Sequence, residues 1–264
     1  MTLVVTADDL GLSAGVNRGI LEAHRGGVVR STSLLVTFPA SQEGAALALA
    51  ERDLEVGIHF DLVGGRPVSD PAAVRSLTDA DGRFYTLAEL SKRLFTARVR
   101  ASEVATELRA QVERARSWGV PALAWDSHRH VHLMPPVARV VAALAQELGA
   151  RWVRRGRAPR ASLAPKQLAV HLSSLISELA YRGTPGNAWY IDLTAARPRF
   201  DATSVALLAT LPGIGELGAH PGYADDALRA ADSLVDGRED DLVLLTDPLL
   251  QEALGRDCVA WRVT

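Results

Sequence analysis

The sequence holds one cysteine, Cys258, so no intrachain disulfide can form and a thiolate metal site has no donors. No stretch reaches the roughly 18 uncharged apolar residues that a membrane-spanning helix needs. Charge of one sign is not in excess either. Lys and Arg number 29 against 31 Asp and Glu, a net charge of -2, which provides no basic footprint for nucleic acid or for an anionic membrane surface. The opening residues Met1–Asp9 lack a positive segment, a long apolar segment and a cleavage site, so the expected location is cytoplasmic. There is no repeat, low-complexity tract or linker, and residues 1–264 read as a single domain.

What is present is an alternation. Hydrophobic residues make up 48% of the chain, enough for a sizeable core. Short apolar runs predict strands at Leu3–Ala7, Ser33–Phe38, Leu54–Ile58, Ala122–Trp125, Arg151–Arg154, Ala188–Leu193, Leu217–Ala219 and Cys258–Val263. Longer periodic stretches predict helices at Ala14–His24, Ala40–Glu51, Thr86–Thr96, Ala101–Trp118, Pro135–Leu148, Leu163–Tyr181, Asp201–Leu211 and Asp240–Leu254. Ser13 reads as a helix cap, and residues 60–85 read as a long Gly/Pro loop of the kind that is functional or disordered. Strands alternating with helices favour a parallel sheet. At this length a TIM-like (β/α) barrel of seven or eight strands is the first expectation, with an open doubly wound sheet as the alternative.

The polar residues recur at one kind of position. Leu3–Ala7 stops at Asp8 and Asp9, Val56–Ile58 at His59, Ala122–Trp125 at Asp126 with His128 beyond, and Leu217–Ala219 at His220. In a parallel α/β fold the C-terminal ends of the strands share one face, so these side chains converge. One carboxylate with two imidazoles suits a divalent metal that keeps open positions, which is the arrangement of a catalytic site. Side chains of adjacent aspartates on an extended strand diverge, so one can bind metal while the other acts as a base. Asp126-Ser127-His128-Arg129-His130-Val131-His132, if extended, presents residues 126, 128, 130 and 132 on one face. Taken singly, Asp-Asp is a turn former and His220-Pro221-Gly222 a turn. His24 and His171 read as surface or packing, and Glu239-Asp240-Asp241 as a solvated helix start.

Together the segments resemble a known family. Thr6-Ala7-Asp8-Asp9-Leu10-Gly11 followed by Asn17, Gly19 and Ser31-Thr32-Ser33 is similar to the opening of the YdjC/ChbG-like carbohydrate deacetylases. Gly57-Ile58-His59-Phe60-Asp61-Leu62, the histidine-rich segment with Pro135, and Glu216-Leu217-Gly218-Ala219-His220-Pro221-Gly222 resemble its later motifs, and Arg238-Glu239 also fits. Leu10, where phenylalanine is commoner, and Arg129 depart from the pattern without removing a ligand. The resemblance implies a TIM-like barrel, one divalent metal ion (zinc or magnesium) and hydrolysis of the acetamide of an acetylated amino sugar, on a chitooligosaccharide or a glycolipid. It implies metal ligands Asp9, His59 and His128, general base Asp8 and general acid His220. It further implies a homodimer or other homo-oligomer. Asp126 is expected to orient a histidine, with His130 and His132 behind the ligands or against substrate. The segment Arg154–Arg157 and the 60–85 loop are expected to line the sugar cleft. Two other readings use the same residues: a non-heme iron oxygenase with two histidines and one carboxylate, and a non-catalytic sugar-binding barrel.

Overall fold

A computed structural model describes residues 2–158, 165–196, 204, 210–254 and 258–261. Eight parallel strands form one sheet: β1 Thr2–Leu10, β2 Ser31–Leu34, β3 Glu55–Phe60, β4 Ala124–Ser127, β5 Trp152–Val153, β6 Trp189–Asp192, β7 Ile214–Ala219 and β8 Cys258–Val259. Seven run in the order β5-β4-β3-β2-β1-β7-β6, which is the cyclic order of a barrel opened between β5 and β6. Two backbone bonds, Val153 N–H to Pro185 O (2.9 Å) and Tyr190 N–H to Arg157 O (2.7 Å), stitch that seam. Among the described residues β8 pairs only with the start of β1, at Leu3 and Val4. The TIM-like expectation holds, with the regular closure missing on one side.

The alternation along β1 explains the layering. Leu3, Val5 and Ala7 face the helices and join the main core, whereas Val4 points into the barrel. There it packs with Ala124, Trp152 and Trp261 as a small apolar floor. Above that floor the barrel interior is polar, and the site lies there.

The helices are α1 Ala14–Arg25, α2 Ser41–Leu49, α3 Leu87–Phe95, α4 Ala101–Ser117, α5 Pro135–Leu148, α6 Pro165–Ser177, α7 Leu193–Ala196, α8 Asp226–Ala231, α9 Arg238–Leu245 and α10 Pro248–Leu254. Ser13 caps α1 by accepting from Val16 N–H at 3.2 Å. α5 starts on a proline and ends at Gly149 with φ 77°. The single helix expected over 240–254 is two, because Pro248 cannot continue α9. The expected helix over 201–211 lies largely outside the described residues, as does the end of the last expected strand. Among the described residues no helix is long and apolar enough to cross a membrane.

The 60–85 segment is held in place. Glu107 of α4 accepts from the N–H groups of Val68 and Ser69 (both 2.9 Å), and Glu103 accepts from Ser76 N–H (2.6 Å). These carboxylates satisfy loop donors that have no ladder partner.

Candidate metal centre

Three of the predicted strands end too early, and the difference matters. β1, β3 and β4 run on through Asp8-Asp9, His59 and Asp126, so these side chains are fixed by sheet geometry rather than by loops. His128 and His220 follow directly after β4 and β7.

Strict alternation would send Asp9 outward beside Ala7. The pairing of β1 with β2 instead shifts register between Ala7 and Leu10, and Asp9 takes a left-handed φ of 71°. Aspartate is one of the few side chains that tolerate this region. The bulge turns Asp9 back, so Asp8 and Asp9 line one small cavity of about 20 Å³ instead of diverging as an extended strand would require. That cavity is also lined by His59, Ser127, His128, Arg129, His130, His220, Asp232 and Leu234.

Asp9 is fully buried. It accepts from His128 Nδ1 (3.0 Å) and Arg238 Nη2 (2.7 Å), and its Oδ1 lies 3.4 Å from His59 Nε2. Burial alone would raise its pKa; the charges of His128 and Arg238, and the bonds from both histidines, outweigh burial and hold it well below the usual carboxylate range. His59 sits between two carboxylates. Its Nδ1 lies 2.7 Å from Asp126 Oδ1 and 2.9 Å from Ser33 Oγ. Burial works against its charge, yet Asp126, with Asp9 and Asp8, lifts its pKa to about 10. Asp126 in turn is brought down to about 2, since Arg154 and His59 overcome its burial. An Asp126–His59 bond leaves Nε2 facing Asp9, the carboxylate–histidine orientation of a ligand.

Asp9, His59 and His128 each offer one donor atom, and the three atoms lie within 4.8 Å of one another. This oxygen–nitrogen–nitrogen set fits a borderline divalent cation. Charge balance points the same way. Five buried carboxylates (Asp8, Asp9, Asp126, Glu216 and Asp232) surround two fully buried guanidinium groups, those of Arg154 and Arg238, with the partly buried Arg129 on Asp232. A divalent ion offsets the deficit that protonated histidine otherwise has to offset.

Arg154 follows β5 and reaches into the barrel rather than into a sugar cleft. It donates to both oxygens of Asp8 (2.7 and 2.8 Å) and to Glu216 Oε1 (2.9 Å), and its Nη2 lies 2.7 Å from Asp126 Oδ2. Glu216 of β7 also accepts from Thr6 Oγ1 (2.9 Å) and from the indoles of Trp152 and Trp261 (both 3.3 Å). Arg155 is buried as well, on the carbonyls of Val153, Tyr181 and Thr184.

The segment after Asp126 is not extended. It turns at Arg129 and His130, with φ 55° and 56°, and the one-face reading fails because two left-handed residues break the alternation. His130 lines the cavity, its ring 5.4 Å from that of Tyr190. His132 instead points away: its Nδ1 lies 2.6 Å from Ser127 Oγ, and its Nε2 lies 3.1 Å from Arg154 O. Burial lowers its pKa to about 3, so it stays neutral and braces Arg154.

His220 faces the metal group across the cavity. Its Nδ1 lies 2.8 Å from Thr194 Oγ1, and its backbone N–H donates to Asp241 Oδ2 at 3.0 Å. Asp241 is therefore a buried partner of the site, not part of a solvated helix start. The following Gly222 packs on α1, where a Cβ on Gly19 would come 2.5 Å from the Gly222 Cα. Gly218 likewise lets Tyr190 cross the barrel, since a Cβ there would sit 2.3 Å from its hydroxyl.

Sequence reasoning missed Arg154, Glu216, Asp232 and Asp241 as site partners. Glu216 shared strand parity with His220, a usable signal. Asp232 pairs with Arg129 and lies 3.4 Å from His128 Nε2, a contact made across 104 residues that no local pattern carries.

The YdjC-like protein family model matches residues 2–256. A carbohydrate deacetylase of Geobacillus stearothermophilus is 35% identical over 94% of this chain and 90% of its own, and one of Brevibacillus brevis is 34% identical over 96% and 94%. A chitooligosaccharide deacetylase of Yersinia pestis is 40% identical over 55% of this chain and 56% of its own. A crystal structure from Enterococcus faecalis V583 superposes with a TM-score of 0.81 over 99% of this chain and 97% of that one, at 24% identity, and so shares the fold. The chain belongs to the YdjC-like family.

Proposed function

We propose that the protein is a metal-dependent carbohydrate deacetylase that hydrolyses the N-acetyl group of an amino sugar and releases acetate. The observation that carries this reading is the Asp9–His59–His128 donor set at the barrel mouth, with a second carboxylate, Asp8, on the same cavity. Near-full-length relatives named carbohydrate deacetylases support the reaction class. A chitooligosaccharide-like substrate is supported by the shorter Yersinia match.

Asp9, His59 and His128 hold the ion, zinc or magnesium. When bound, it acts as a Lewis acid on the amide carbonyl and makes water a competent nucleophile near neutral pH. Asp8 accepts the proton of the attacking water. Arg154 aims the Asp8 carboxylate through its two bonds. Asp126 fixes the His59 ring, leaving Nε2 to the ion. His220, steered by Thr194 and Asp241, donates a proton to the departing amine. Val63, Gly64, Thr86 and Leu87, beside Arg129 and Asp232, line a neighbouring hollow that seats the sugar.

The chain works as one domain, supported by a family match over 2–256. A cytoplasmic location and a homo-oligomeric state belong to the same reading. Acetate release from N-acetylated chitooligosaccharides, with and without chelator, tests it. Chelator-sensitive release is expected; no release from any acetylated amino sugar at saturating metal overturns it.

A further inference from the structure

The two imidazoles of the metal group come from different strands but are backed alike. Behind His59, Asp126 presents Oδ1 to Nδ1 at 2.7 Å, and its Oδ2 lies 2.7 Å from Arg154 Nη2. Behind His128 stands Asp232. His128 turns Nδ1 to Asp9, and its Nε2 lies 3.4 Å from Asp232 Oδ2. The other oxygen, Asp232 Oδ1, accepts from Arg129 Nη2 and from Leu234 N–H (3.0 Å). Each imidazole thus has a carboxylate behind it, and each carboxylate has a guanidinium on its second oxygen.

The place of Asp232 is built by the chain around it. It lies between α8 and α9, and its backbone N–H donates to Leu228 O (2.9 Å) at the end of α8. Its side chain is 1% exposed, and Oδ2 is buried without a hydrogen bond of its own. Such an oxygen is costly to leave unpaired, and a shift of a few tenths of an ångström brings the His128 N–H to it. Arg129 directly follows His128 with a left-handed φ of 55°, which an arginine adopts only where its surroundings fix it. From that turn it donates to Ser233 Oγ (3.0 Å) as well as to Asp232. Arg238 Nη2 joins the two halves of the site, 2.7 Å from Asp9 Oδ2 and 3.7 Å from Asp232 Oδ2.

We propose that Asp232 and Arg129 are positioning residues for the metal: Asp232 holds the His128 ring with Nδ1 toward the ion, and Arg129 holds Asp232. A carboxylate behind a ligating imidazole fixes its tautomer and raises its basicity. The inference rests on the Asp9–His59–His128 metal reading.

Zinc affinity, measured by competition with a chromogenic chelator, tests the relay. Asp232→Asn should weaken binding about 10–100-fold. Loss of negative charge would also weaken it, so Arg129→Met decides. Removing a cation near the ion should tighten binding if charge alone acts. The relay predicts the opposite sign, a weakening of about tenfold. Arg129 is 28% exposed, so this variant is expected to keep its fold, checked by melting temperature. Arg129→Lys keeps the charge but loses the fork, and should bind zinc with an affinity between those of the parent and Arg129→Met. The double variant should bind as Asp232→Asn does, because Arg129 acts through Asp232. Arg109→Ala, which breaks a surface pair with Glu147, should bind as the parent does. Equal or tighter binding in Arg129→Met, or additive losses in the double variant, overturns the relay. A parent that binds no zinc instead overturns the metal reading beneath it.

Discussion

Arg154 grips Asp8 through two hydrogen bonds of 2.7 and 2.8 Å inside a barrel where Asp126 and Glu216 also bind the same guanidinium. Burial opposes its charge, but these three carboxylates raise its pKa well above the ordinary arginine value. Removing the guanidinium strands three buried carboxylates. Arg154→Met should cost about 3–5 kcal/mol, the scale of a broken buried ion pair, visible as a large fall in melting temperature. A fall of under about 1 kcal/mol would mean that the cluster relaxes into water. Arg154→Lys keeps a charge but loses the fork, so its activity should drop more than its stability.

His59 carries the clearest pH signature. Its pKa rises from 6.5 to about 10 in the metal-free fold, with burial opposing and Asp126 leading the rise. A raised folded pKa contributes stability that is fully present below 6.5 and is lost as pH climbs through about 10. Chelator-treated protein should therefore lose melting temperature between neutral pH and pH 10. Metal must displace that proton, so zinc affinity should increase with pH over the same window, and titration in buffers of different ionisation enthalpy should detect proton release. Binding without proton release would contradict the assignment of His59.

His132 separates bracing from ligation. It is held by Ser127 and by the Arg154 carbonyl, away from the cavity lining. His132→Ala should retain a full equivalent of metal by elemental analysis while losing about 1–3 kcal/mol of stability from the emptied, unsatisfied site. His128→Ala should lose the metal. Equal loss in both would return His132 to the ligand set.

His220→Ala tests proton donation to the leaving amine. Acetate release should fall about 10²–10⁴-fold while metal content holds. Asp241→Asn, which perturbs the support of His220, should give a smaller loss. An unchanged turnover in His220→Ala would remove it from the mechanism.

The strand-end residues were legible in the sequence because parallel topology brings every C-terminal strand end to one mouth, whatever the separation along the chain. Asp9, His59, His128 and His220 all reach it. What failed depended on single backbone angles. The bulge at Asp9 and the left-handed turns at Arg129 and His130 reorient side chains against the period-two pattern, and no composition rule reports them. Arg154 was hidden differently. It read as part of a segment lining the sugar cleft, because a buried arginine is recognised only once its carboxylate partners are known in space. The open seam between β5 and β6 was also invisible, since a two-residue strand carries no periodicity.

The most direct test measures metal content and acetate release together on Asp8→Asn and Asp9→Asn. Asp9→Asn should lose both metal and release. Asp8→Asn should keep its metal and lose release by about 10²–10⁴-fold. Metal retained in Asp9→Asn, or unchanged release in Asp8→Asn, would contradict the division of the pair into one ligand and one base.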